Sequence, residues 1–340
     1  MTKIHPPRIA WLDTLKAIAL FFVVLGHTDG IGDGARTYIY SFHIPLFFFM
    51  AGFLVREEAL RGTFAPFARK YLRSLIIPYW GFGLATYLIW LLAGRHYGRD
   101  LLLAVAPVKP LLGMLYGIGV DHWLRHNVAL WFLPALFCLH LISFFVQRWG
   151  QGLTLVFTVI VVSLAGSVLG PLLPVRLPWG IEPACAGVLF YGAGRLARGL
   201  PSDLLRRKGR WRWLIPAICL IIQGAGIRAN GRVDMNELLF GNLAAFYLTA
   251  LCGIGFWVWV SMALPASTLA TTVAREAMVI FPLHTLIFSM ITLVAVKALH
   301  LPAAFRQGSL LAAGVYTVLT FLILIPMAPL IRKGLPGLRA

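Results

Sequence analysis

The stretch Trp11-Leu12-Asp13-Thr14-Leu15-Lys16-Ala17-Ile18-Ala19-Leu20-Phe21-Phe22-Val23-Val24-Leu25-Gly26-His27 decides how this chain folds. It is apolar except for three ionisable side chains, Asp13, Lys16 and His27. Lys3 and Arg8 precede it, as in a signal peptide. It ends in Gly26-His27-Thr28-Asp29 with no small-residue cleavage site, so it reads as a retained helix. Ionisable groups inside an apolar span are costly, and each needs a reason to be there. Their spacing supplies one. At about 100° per residue, Lys16 and His27 fall within about 20° of whole turns, and Asp13 and His27 within about 40°. All three project from one face, with Lys16 and His27 roughly 16 Å apart along the axis.

The rest of the composition agrees. Of the 340 residues, 59% are hydrophobic and 12% charged, and the mean hydropathy is +0.82. Soluble domains carry about 25% charge. The remaining solvent for so much apolar surface is the lipid bilayer. Net charge is +18. In a soluble chain that would point to nucleic acid, but here the basic residues sit in short loops, where they fix orientation against anionic lipid, and no nucleic-acid partner is expected. Cys138, Cys185, Cys219 and Cys252 lie in apolar stretches without metal-ligand spacing, so neither a disulfide nor a metal site is expected.

Apolar runs predict an all-α, polytopic membrane protein of about ten helices, near 12–29, 38–55, 74–94, 128–147, 153–170, 179–197, 213–228, 238–264, 273–299 and 309–331, in one domain over 1–340. With the N-terminus inside, nineteen of the thirty lysines and arginines fall on the cytoplasmic side and ten on the other, while Lys16 lies in the first helix. This bias places both termini in the cytoplasm. The long connection 95–127 reads as a plain loop or, alternatively, as a lid or acceptor platform. Residues 56–73 read as a basic cytoplasmic loop, and the basic stretch from Arg195 to Arg212 as an anchoring loop.

Further polar groups mark candidate sites. His43 opens Ser41-Phe42-His43-Ile44-Pro45-Leu46-Phe47-Phe48, near the same level as His27. It is either a second active-site histidine or a helix-end residue at the interface. Lys70 and Arg73, three residues apart, share a face and could hold phosphates or simply anchor the chain. Glu182, beside Pro183, and His284 are intramembrane polar groups that could line a substrate cavity, as could Asp13, or make structural contacts. Lys16 could snorkel and His27 cap a helix end; together they also suit an anionic cofactor entering from the cytoplasm, with Lys16 at its phosphates and His27, neutral or charged near pH 7, at its reactive end.

These motifs resemble the acyltransferase-3 family of membrane O-acyltransferases, and within it the fucose 4-O-acetylase-like group. The likeness rests on Trp11-Leu12-Asp13 with Lys16 separated from His27 by ten residues, on Phe42-His43-Ile44-Pro45-Leu46-Phe47-Phe48 and Gly52-Phe53, on Lys70-x-x-Arg73 with Pro78-Tyr79, and on Leu130-Trp131-Phe132-Leu133. Ala17 and Ala51 stand where the family often has glycine and serine. The resemblance implies a bacterial inner-membrane enzyme with no tightly bound cofactor. It would take acyl-CoA, usually acetyl-CoA, from the cytoplasm and acylate a hydroxyl of a cell-envelope or exported glycan. It implies His27 as catalytic base, Lys16 as a CoA-side contact, and Lys70 and Arg73 as donor-binding groups. Asp13, three residues before Lys16, is expected to pair with it. Direct attack by the acceptor alkoxide and an acyl-histidine intermediate both remain open. The competing class is a secondary transporter or flippase of a lipid-linked glycan, which would more often show broken helices in repeated halves.

Overall fold

The computed structural model describes residues 9–200, 213–307 and 309–334. These are almost entirely helical, because a backbone surrounded by lipid must satisfy its own hydrogen bonds. Along the chain run α1 (Ala10–Gly26), α2 (Asp33–Tyr40), α3 (His43–Leu54), α4 (Glu57–Arg61), α5 (Phe64–Tyr71), α6 (Ile77–Leu92), α7 (Gly98–Leu103), α8 (Val108–Tyr116), α9 (Phe132–Val146), α10 (Gly152–Val168), α11 (Ile181–Gly199), α12 (Leu214–Asn230), α13 (Leu243–Ala263), α14 (Thr268–Lys297) and α15 (Leu310–Gly334). Among the described residues, seven spans are long and apolar enough to cross a bilayer: α2 with α3, α5 with α6, α9 with its leading turn, α10, α13, α14 and α15. Helices α1, α11 and α12, of 17, 19 and 17 residues, occupy the other three places expected of a ten-helix bundle.

Helix α1 is central. It packs against α3, α13, α14 and α15, with Leu15, Ala19, Leu20 and Val24 fully buried. Trp11 meets Phe53 edge to face at 5.1 Å, so the start of α1 lies at the end of α3. Helix α3 crosses α11, which packs on α9 and α10. The rim is apolar and open: Val156, Phe157, Ile160 and Val161 of α10 project outward, as do Leu311 and Leu322 of α15. Such faces suit lipid, where helix association relies on close packing rather than on hiding apolar surface from water.

Four expectations change. The second helix is broken, because Phe42 leaves helical geometry (φ −143°) and Ser41 turns its hydroxyl back onto the Tyr38 carbonyl at 2.7 Å. His43 therefore opens a new helix. The stretch 56–73 is not a loop: helix runs from Phe64 and joins α6 through a widened turn, Leu72–Ile76, in which the Ile77 N–H reaches five residues back to the Leu72 carbonyl. Pro78 has no N–H to continue an ordinary ladder, and the widened turn absorbs that defect. Residues 95–127 are also not a plain loop. They fold as a cap, with α7, α8, a Tyr79 Oη–H donated to the Met114 carbonyl (2.7 Å), a Trp90 indole N–H donated to Asp100 (3.0 Å) and an Arg125–Asp100 ion pair. Finally, 238–242 belong to a hairpin rather than to α13, whose N-cap is the Asn242 side chain accepting from the Ala245 N–H at 3.0 Å.

Candidate active site

Helix α1 delivers His27 as its C-cap, one residue beyond the last helical turn. There the imidazole folds back on its own helix, Nδ1 lying 2.7 Å from the Val23 carbonyl. A carbonyl only accepts, so Nδ1 carries the proton and the Nε2 lone pair is left for chemistry. His43, in the first turn of α3, repeats the device, with Nδ1 2.9 Å from the Ile39 carbonyl. Both histidines line one cavity of about 190 Å³. Its other walls are Tyr40 and Ile44, Val128, Trp131 and Phe132 at the head of α9, Phe281 of α14, and Arg232, Asp234, Asn236 and Glu237 of the hairpin between α12 and α13. The Tyr40 and His43 rings stand 4.8 Å apart.

His284 stands behind His27. Their rings are 4.9 Å apart at 68°, and His284 is fully buried. Its Nδ1 donates to the Phe281 carbonyl at 2.6 Å, and its Nε2 is buried without a hydrogen-bond partner. Pro282 lies inside the continuous helix α14, and the buried Asn127 fastens onto it there: its amide donates to the Pro282 carbonyl at 2.6 Å and its oxygen accepts from the Thr285 hydroxyl at 3.3 Å. Asn127 thereby ties the cap to the turn of α14 that carries Phe281 and His284. Replacing Asn127 by alanine removes both contacts to α14 and is expected to cost about 1–3 kcal/mol. The thermal unfolding midpoint of the purified protein in detergent measures this; an unchanged midpoint would show that the bridge holds nothing.

The other expected site residues lie elsewhere. Glu182 is 2% exposed and does not line the cavity. It accepts from Arg176 Nε (3.1 Å) and the Leu177 N–H (2.6 Å), while Arg176 also donates to the Asn236 carbonyl (2.8 Å). An intramembrane carboxylate read as a cavity group thus braces the hairpin. Asp13 and Lys16 sit in the first turns of α1, at the end remote from His27. Lys70, in the last turn of α5, and Arg73, in the widened turn, are exposed. The Lys70 ammonium lies 5.0 Å from the Tyr71 ring centroid.

Near Lys70 the structure gathers a polar set that spacing did not reveal. His140 of α9 stacks on Tyr71 (3.6 Å, 17°) and meets Tyr191 of α11 edge to face (5.5 Å). One and two turns further along α9 lie Ser143 and Gln147, and Arg195 donates to the Gln147 side-chain oxygen at 2.6 Å. His140 Nδ1, Ser143 Oγ, Gln147 Nε2 and Tyr191 Oη are all buried without hydrogen-bond partners. Residues 147, 143, 140, 136 and 132 share one face of α9, which runs from this polar set to Phe132 in the His27 cavity, roughly 22 Å at 1.5 Å per residue.

The described residues hold no group of three or more potential metal ligands. A family model described as an acyltransferase domain matches residues 9–328. No curated protein and no solved structure matches the chain.

Proposed function

From the premise that the chain belongs to the acyltransferase-3 family of membrane acyltransferases, we propose that it moves an acyl group, in the first instance acetyl, from cytoplasmic acyl-CoA to a carbohydrate hydroxyl at the other face of a bacterial inner membrane, with both termini in the cytoplasm. One observation carries the reading: His27 lines a cavity with Nδ1 committed to the Val23 carbonyl, so its remaining nitrogen is a base.

The chemistry follows from that nitrogen. His27 Nε2 takes the proton of the acceptor hydroxyl as the oxygen attacks the thioester carbonyl. The tetrahedral intermediate collapses, the C–S bond breaks, and the leaving thiolate receives the proton from the imidazolium. Histidine ends as it began, and no acyl-enzyme is needed. His43, at the same wall, presents a second Nε2 lone pair, which can accept a hydrogen bond from the acceptor and orient it toward His27. The donor reaches His27 from the opposite end of the bundle. Lys70 and Arg73 meet its phosphates there, and Lys16 faces its path. The unpartnered polar atoms of His140, Ser143, Gln147 and Tyr191 offer hydrogen bonds to its amide-bearing arm.

The test uses membranes from cells with and without the protein, given acetyl-CoA labelled in the acetyl group, followed by extraction of envelope glycan. Protein-dependent label on glycan, released by mild alkali as an ester, is the expected result. Unlabelled glycan that nevertheless crosses the membrane only when the protein is present would replace acyl transfer with transport.

A further inference from the structure

We infer that the hairpin between α12 and α13 is the acceptor-binding wall of this site, and that Glu237 makes it select an uncharged polyhydroxy acceptor over an anionic one. The inference rests on the acyl-transfer reading and adds where the acceptor sits and what charge it carries.

The hairpin is a fixed wall rather than a loose loop. Gly231 (φ +71°) and Gly241 (φ +65°) supply left-handed turns at its two ends. Asp234 and Leu239 exchange backbone hydrogen bonds of 2.8 and 2.9 Å between them. Val233, Met235, Leu238 and Phe240 are buried, so one edge is sunk into the bundle. Asn230 clamps the base, donating to the Phe240 carbonyl (2.9 Å) and accepting from the Asn242 N–H (2.6 Å). Arg176 bolts the tip through the Asn236 carbonyl and is itself held by the buried Glu182. The polar side chains of this wall therefore keep a set relation to His27 across the cavity.

What those side chains have left to offer determines the ligand. Asp234 is largely committed within this frame. Its Oδ2 accepts from Arg232 Nη2 (2.8 Å), and its Oδ1 accepts from the Asn236 and Glu237 N–H groups (3.0 and 3.4 Å). Glu237 is different: its side chain is 50% exposed, and its one ion pair, with Arg232, is long at 3.5 Å. Arg232 lies 5.7 Å from the Tyr40 ring centroid and is 45% exposed at its side chain, with donors to spare. The Asn236 side-chain amide stands against Gly119, where an added Cβ would come within 3.0 Å of both its polar atoms. A half-exposed carboxylate, an amide and a guanidinium on one wall can accept from and donate to neighbouring hydroxyls, each of which is both donor and acceptor. One positive and two negative side chains leave the wall with a net negative charge. In a cavity of about 190 Å³ an anionic acceptor meets that charge at short range, and such like-charge contact is strongly disfavoured.

The experiment is a competition. Purified full-length protein in detergent receives acetyl-CoA with equal concentrations of methyl glucoside and the corresponding methyl glucuronide, and the two acetyl esters are counted by mass spectrometry. Wild type is expected to favour the neutral sugar by about ten-fold or more, Glu237→Lys to bring the ratio to about one or below, and Glu237→Gln to fall between. The ratio is read within one sample, so differences in the amount of active protein do not enter it. Equal ratios in all three proteins would overturn the inference, as would thioester cleavage by wild type with ester on neither sugar. A wild-type protein that leaves the thioester intact would remove the acyl-transfer reading itself, and the inference with it.

Discussion

Alanine in place of His27 is expected to lower acyl transfer by about 10²- to 10⁴-fold, the range that a positioned general base contributes. The protein should still be inserted, because His27 caps α1 after the last turn and only its side chain is lost. The geometry separates this effect from two others. His43 lines the same cavity with the same tautomer fixed by the Ile39 carbonyl. If it only orients the acceptor through its Nε2 lone pair while His27 takes the proton, His43→Ala lowers kcat less than His27→Ala. His284 touches His27 through its ring but does not line the cavity. His284→Phe keeps an aromatic ring there and is expected to leave transfer within about ten-fold of wild type, a loss below the span of a general base. The measurement is labelled ester formed per unit of inserted protein for all three variants. A His284→Phe protein as inactive as His27→Ala would move the base to the buried ring, and an active His27→Ala would remove His27 from the chemistry.

The parts of this site that were legible in the sequence share one property: their meaning is local to a helix. The angular repeat that sets Lys16 and His27 on one face, and the cost of each in an apolar run, needed no knowledge of neighbours. The ten apolar runs likewise marked helices, since length and hydropathy decide that question alone. What was not legible depends on packing between distant segments. His140 reads as one polar residue in an apolar run, and only the approach of Tyr71 and Tyr191 gives it partners. Glu182 reads equally as a cavity group or a structural contact until Arg176, six residues earlier, folds back onto it. The contact of His284 with His27 needs α14 packed against α1, with the turn at Pro282 tied to the cap by Asn127. The hairpin was hidden for a different reason. The run from Arg232 to Glu237 falls between two apolar runs and shows no helical repeat, whereas alternate residues Val233 and Met235 are buried and return their polar neighbours to the cavity. The helix beginning at Phe64 was obscured because Arg69, Lys70 and Arg73 resemble a solvated loop, although their backbone continues into α6.

Valine at Gly52 is expected to abolish the folded protein, because the crossing of α3 and α11 is made by backbone against backbone. A Cβ at Gly52 would lie 2.0 Å from the Tyr191 carbonyl oxygen, and a Cβ at Gly194 would lie 2.0 Å from the Phe49 carbonyl oxygen. The two contacts are reciprocal: each helix presents a glycine to the other's main chain. Neither obstacle is the end of a flexible side chain, so relief requires the helices to separate. Without hydrophobic force to pull helices together in lipid, that close approach is what holds them. Separation also moves Tyr191 from His140 and shifts the helix whose first turn carries His43. The cost is expected to exceed the roughly 3 kcal/mol usual for overpacking a core. Gly314 of α15 is the internal comparison, since an added Cβ there meets nothing within 4 Å. Gly314→Ala should be neutral or stabilising by up to about 1 kcal/mol, from helix propensity alone. Size-exclusion profiles and unfolding midpoints in detergent distinguish the two, with Gly52→Val and Gly194→Val aggregated or absent and Gly314→Ala monodisperse. A monodisperse Gly52→Val protein with an unchanged midpoint would mean that α3 and α11 stand further apart than the carbonyl contacts place them, and the polar set around His140 would then be open along that seam.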